Sequence, residues 1–137
     1  MALPLITKQD VVDTLLATIP KYTPRVEISG IYPSDDTNVS YGVYVDDPVT
    51  VDKSPYQLGV QYCGSVYTCT DSFAVLYVSY QDDDKSESVQ NAIQNLASDL
   101  ILMNGYHEMS FTRDIVIGNK SEKHTYTFTL RRLEFLN

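Results

Sequence analysis

Two periods of hydrophobic and polar alternation run along this chain, and the switches between them outline its elements. Thr7 with Asp10 three residues later has the form of a capping box, and Val12, Leu15, Leu16 and Ile19 then recur at helical spacing. The helix should end before Pro20, which cannot continue the hydrogen-bond ladder, and Pro24 makes the exit extended. Over 25–31 the period becomes two, with Val26 and Ile28 opposite Glu27 and Ser29, as in a strand. From 32 to 55 the pattern weakens, because Pro33, Pro48 and Pro55 mix with aspartates and serines. That stretch reads as a long polar connection with a short strand inside it, where Tyr41, Val43 and Val45 alternate with Ser40, Gly42 and Tyr44. So long an excursion suits a segment that reaches toward a neighbouring molecule, and a plain surface loop is the other reading.

Beyond it the signals are stronger. Tyr56, Leu58, Val60 and Tyr62 alternate against Gln57, Gly59 and Gln61, which predicts a strand with one buried face before a turn around Gly64. Phe73 to Tyr80 is apolar or aromatic on both faces, as a central strand covered on each side would be. Asp84 and Glu87 then form a capping box, and Val89, Ala92, Ile93, Leu96, Leu100 and Met103 make one helical stripe that stops at Asn104-Gly105. A closing hairpin is predicted from Met109 to Ile117 and back from His124, turning around Gly118-Asn119-Lys120. On its return strand His124, Tyr126, Phe128 and Leu130 share one face, and Thr125, Thr127, Thr129 and Arg131 the other. These elements predict an α+β fold, a single domain over 1–137 with one mainly antiparallel sheet, two helices packed on it and a long polar loop.

Composition fits that outline and restricts the partners. The 137 residues, 43% of them hydrophobic, suit one domain with one core. Eighteen acidic against 10 basic residues give a formal charge of −8, a balance that repels phosphate backbones. No apolar run approaches the roughly 20 residues of a membrane helix. Met1 to Ile6 lacks the basic start and long apolar region of a secretory signal, so synthesis in the cytoplasm is expected.

Candidate chemistry is sparse. Cys63 and Cys69 read as two reduced, partly buried thiols, with a disulfide across a turn as the alternative in an oxidising compartment. His107 and His124 lie in strand-like segments without catalytic or zinc-ligand spacing, so no catalytic residue, cofactor or metal is expected. Asp82, Asp83 and Asp84 fall at the positive end of a helix dipole, which explains them without an active site. Eleven tyrosines and no tryptophan are the compositional oddity, and Tyr41, Tyr44, Tyr56, Tyr62 and Tyr67 cluster around the long connection, as at an interaction surface. The end of the chain, Arg131-Arg132-Leu133-Glu134-Phe135-Leu136-Asn137, either completes the sheet or docks on a partner.

In the order of these elements the chain resembles the tail-terminator proteins of long-tailed bacteriophages. Phe73 to Tyr80, the acidic turn and Ser86 to Met103 are similar to the family's strand-turn-helix unit, and Met109 to Ile117 with His124 to Leu133 to its ending. The resemblance covers nearly the whole chain without a diagnostic motif. It implies a virion structural protein, assembled in the host cytoplasm, that forms a homo-oligomeric ring of about six subunits on the tail tube. Such a ring ends tube growth and offers a joining surface to the head connector, and DNA passes through it without specific binding. Under this resemblance Tyr41, Tyr44, Tyr56, Arg131 and Arg132 are candidates for the subunit interface, and Asp82, Asp83 and Asp84 for the lumen or an interface. The two arginines have a second reading as solvated residues that guard an edge strand. Another phage neck, tail-completion or connector protein is the nearest alternative, and an adaptor binding a protein through the tyrosine-rich loop is the next. An enzyme would need a pocket joining His107 or His124 to a carboxylate.

Overall fold

The computed structural model describes residues 4–18, 28–29, 42–55, 65–80, 86–101, 104–118 and 121–136. Its frame is a pair of sixteen-residue strands, β4 (Ser65–Tyr80) and β6 (Ser121–Leu136). They run antiparallel in unbroken register from Ser65 opposite Leu136 to Tyr80 opposite Ser121. Beside β6 lies β5 (Glu108–Ile117), the other arm of the closing hairpin, paired from Glu108 opposite Arg131 to Ile117 opposite Glu122.

The opposite side of β4 is shared by two shorter strands. β2 (Gly42–Val45) pairs with Val75 to Val78, and β3 (Val49–Pro55) pairs with Tyr67 to Ser72. The chain crosses between them over Asp46 to Pro48, where Asp46 N–H donates to the Ala74 carbonyl at 2.9 Å. β1 (Ile28–Ser29) adds to β2 in parallel, the one parallel pair among the described residues. The sheet is thus six-stranded among the described residues, in the order β1-β2-β4-β6-β5, with β3 alongside the far half of β4. As the sequence predicts, Phe73 to Tyr80 is central, and the fold is α+β with a mostly antiparallel sheet.

Both helices contribute to one core on a single face of this sheet. α1 (Lys8–Thr18) opens with the predicted capping box, Thr7 N–H on Asp10 Oδ2 at 2.8 Å and Asp10 N–H on Thr7 Oγ1 at 3.2 Å. It buries Val11, Val12 and Leu15, while Leu16 faces outward. α2 (Ser86–Gln94) buries Val89, Ala92 and Ile93. The sheet answers with Val43, Val45, Phe73, Val75, Tyr77, Tyr126, Phe128 and Leu130. Phe73 and Phe128, directly opposite one another, stack with centroids 4.9 Å apart, and Phe111 of β5 leans on Phe128 at 5.5 Å.

Several elements depart from expectation for physical reasons. The second helix does not run regularly to its end: residues Ala97–Ile101 form a π-helical turn. Wider winding moves the inward position by one residue, so Ile101, five after Leu96, is fully buried and Leu100 only partly so. The predicted stop is present, with Gly105 at φ +97° and the Asn104 side-chain amide donating to the Leu100 carbonyl. The polar connection contains a strand that the sequence reading missed, β3, which pairs through a bulge between Thr50 and Asp52. β4 begins at Ser65, eight residues before the predicted start, so that the segment read as a turn and loop is a strand. The strand expected over Tyr56 to Tyr62, Ile19, Cys63 and Met103 lie outside the described residues.

Candidate functional site

The sheet is longer than its helical cover, and the part beyond the core is a three-stranded arm of β3, the first half of β4 and the last residues of β6. Side chains of Thr50, Lys53, Cys69, Asp71, Arg132 and Glu134 project from the core side of this arm, because their register continues the rows of Phe73 and Leu130. Where the apolar core ends, a buried polar cluster begins.

Asp71 is its hub, fully buried on β4. Its Oδ2 accepts from Arg132 Nε at 2.8 Å and from the Tyr106 hydroxyl at 2.6 Å, and its Oδ1 from the Thr50 hydroxyl at 2.7 Å. The Tyr106 oxygen in turn accepts from Leu5 N–H at 2.9 Å. Arg132 stands diagonally across from Asp71, within reach of a long side chain, and its Nη1 lies 3.6 Å from Glu134 Oε2. Glu134 also accepts from the Cys69 thiol at 3.3 Å and pairs with Lys53 Nζ at 3.5 Å.

Electrostatics follow from that wiring. Burial pulls the Arg132 guanidinium down, but the hydrogen bond and charge of Asp71 more than reverse this and leave it above its ordinary value. Burial and the Asp71 hydrogen bond push the Tyr106 hydroxyl well above the usual tyrosine range. Burial, then the bond to Glu134, raises the Cys69 thiol, whereas that same thiol bond and nearby Lys53 hold Glu134 below the usual carboxylate range. The result is a thiol kept protonated and ion pairs with their hydrogen bonds made. Its chemical capability is mechanical: it ties the segment before α1, the turn before β5, and all three strands of the arm to one carboxylate.

This placement corrects the reading of Arg132, expected at a subunit interface or solvated on an edge. Arg132 is 3% exposed and occupied within its own subunit. The alternation of β6 sends its neighbour Arg131 to the other face, where it is exposed and lies 3.7 Å from Glu108. Tyr44 is half-buried in β2, opposite Leu76. Tyr41, Tyr56, Asp82, Asp83 and Asp84 lie outside the described residues. Cys69 is a free, buried cysteine. His107 is exposed, and His124 meets the carboxylate of Glu122 while buried within the sheet.

The end of the chain, read as completing the sheet or docking on a partner, completes β6 as far as Leu136, and exposed apolar surface lies at both ends of that strand. At the arm end, Leu133 and Phe135 stand on the face away from the helices beside Val66, with Val49 and Val51 of β3 also exposed; Phe135 is 60% exposed. At the hairpin end of β5, which has one neighbouring strand among the described residues, Ile115 and Ile117 are exposed on the helix side and Val116 on the other side, and Ile117 is 68% exposed. Val116 pairs with Lys123, ten residues along β6 from Leu133, which sets the two patches roughly 33 Å apart at about 3.3 Å per residue. Between them the face away from the helices carries Ser72, Thr129 and Ser110 in one row and Ala74, Thr127 and Thr112 in the next, while Leu76 and Val78 on the same face of β4 are buried. A signal for these patches lies in the sequence itself, in the unbroken apolar run Ile115-Val116-Ile117 and the apolar alternation at Leu133 and Phe135.

No protein-family model matches this chain, and no curated protein matches it significantly in sequence.

Proposed function

We propose that this chain is a structural subunit that joins copies of itself head to tail into a closed ring, in the manner of a phage tail terminator. The observation that carries the reading is the pair of exposed apolar patches at opposite ends of β6. A two-fold dimer uses one patch against itself, whereas two different patches at opposite ends of the sheet suit a heterologous contact, which closes into a ring when the rotation allows. Exposed apolar residues gathered in this way mark interaction surfaces more often than isolated ones do.

The rest of the surface supports the same assignment. The face away from the helices carries rows of Ser and Thr, and its Arg131 is paired with Glu108. Together with a net charge of −8, that gives a surface past which a phosphate backbone slides without being held. The Asp71 cluster supplies what a ring subunit needs mechanically, an arm fixed rigidly to the body that carries it. On this reading the ring caps the tail tube, ends its growth and presents a face to the head connector, and the protein resides in the virion tail. A neck or connector ring would use the same contact.

Negative-stain microscopy and mass photometry of the purified protein test this over a range of concentration and magnesium. Closed rings with a central hole that admits duplex DNA are expected. A strict monomer under every condition would instead favour an adaptor that binds a different protein.

A further inference from the structure

His124, on β6, plays no part in the Asp71 cluster or in the contact proposed above. It is 2% exposed, with Nε2 3.1 Å from Glu122 Oε2 and its ring 5.7 Å, centroid to centroid, from that of Tyr77. Among the described residues its Nδ1 is buried without a hydrogen-bond partner, and so are Ser79 Oγ and Tyr126 OH. Register places these groups together on the core side of the sheet: His124 opposite Tyr77 and Ile115, Tyr126 two residues along β6, and Ser79 opposite Glu122.

The geometry sets the protonation chemistry. In the neutral ring the tautomer favoured by Glu122 carries its proton on Nε2 and donates it to the carboxylate, leaving Nδ1 a bare acceptor. A second proton would go to Nδ1, where the folded sheet supplies no partner, and would create a charge balanced from one side only. From β5, Arg113 opposes that charge with one of the same sign; from β4, Tyr77 offers a neutral ring; on β6 itself, Glu122 favours it and Tyr126 is neutral. Burial outweighs the Glu122 attraction, so the ring holds its proton less readily than a free histidine of ordinary value 6.5.

The surroundings decide what gives way. Ile115, Val116 and Ile117 are exposed, and β5 has a single neighbouring strand among the described residues. This end of the hairpin is held by few apolar contacts, the condition under which a segment opens while the body stays folded. We propose that His124 is an acid-sensitive latch: its protonation releases residues 115–117 of β5 and 122–124 of β6 from the sheet. The latch is a property of the single subunit, and residues 115–117 are also the hairpin-end patch of the contact proposed above.

Site-resolved hydrogen exchange on the intact protein at about pH 8 and about pH 5, corrected for intrinsic rates, tests it alongside a nuclear magnetic resonance titration of both histidines. On acidification the amides of 115–117 and 122–124 should lose about tenfold or more protection relative to those around Phe73 and Phe128, and His124 should titrate below the ordinary histidine value of 6.5. In His124→Gln the selective loss should vanish. Equal protection loss across the whole sheet, selective loss that persists in His124→Gln, or a His124 that titrates at or above 6.5 would each overturn the latch. Should His124→Gln fail to fold, the exchange and titration of the natural chain decide between the same outcomes.

Discussion

Arg132 Nε lies 2.8 Å from Asp71 Oδ2, and both side chains are withdrawn from solvent where the apolar core gives way to the arm. An ion pair at that depth is costly to desolvate and is sustained by the additional bonds from Tyr106 and Thr50 to the same carboxylate. Breaking it is therefore worse than removing it. Asp71→Asn and Arg132→Met should each lower stability by about 3–5 kcal/mol, because each strands a buried charge. The double variant should cost less than the sum of the two, and urea denaturation of the four proteins in a double-mutant cycle measures the coupling.

Tyr106 joins Asp71 to the backbone ahead of α1, donating to the carboxylate and accepting from Leu5 N–H. Tyr106→Phe leaves both without that partner and should cost about 1–3 kcal/mol. The pH dependence has a definite sign. The folded protein holds the Tyr106 proton above the ordinary value of 10.0, whereas the unfolded chain releases it there, so stability must fall as pH rises past 10.0. Tyr106→Phe should flatten that alkaline decline, which thermal unfolding across the range will show.

Cys69 is buried, and both its burial and the acceptor Glu134 keep it protonated. In a Cys63→Ser background, a thiol-alkylating reagent should therefore label Cys69 only as fast as the protein opens. Mass spectrometry over time with and without denaturant checks this, the expected outcome being slow labelling in buffer and rapid labelling in urea.

Much of the fold was legible because its signals were local. The capping box at Thr7 and Asp10, the stripe from Val89 to Leu96 and the alternation from His124 to Arg131 depend on neighbours in sequence, and each formed as read. β3 was hidden because Val49 to Pro55 has two prolines at its borders and a bulge that breaks its period. The first half of β4 was hidden because Ser, Thr and Asp alternate there with few large apolar residues. Arg132 was misread for a related reason: its partner Asp71 is 61 residues away, and nothing local distinguishes it from Arg131. Only the pairing of β4 with β6 shows that one arginine faces inward and the next outward.

The central claim is that the two ends of β6 meet each other on neighbouring subunits. Phe135→Glu blocks the arm end and Ile117→Glu the hairpin end, both at exposed positions where folding should be preserved. Native mass spectrometry of each variant alone and of their equimolar mixture tests the claim directly. Each variant alone should be monomeric, the mixture should form heterodimers through the one intact pair of ends and nothing larger, and the natural protein should form closed oligomers. Dimers of either variant by itself, or a mixture that stays monomeric, would contradict it.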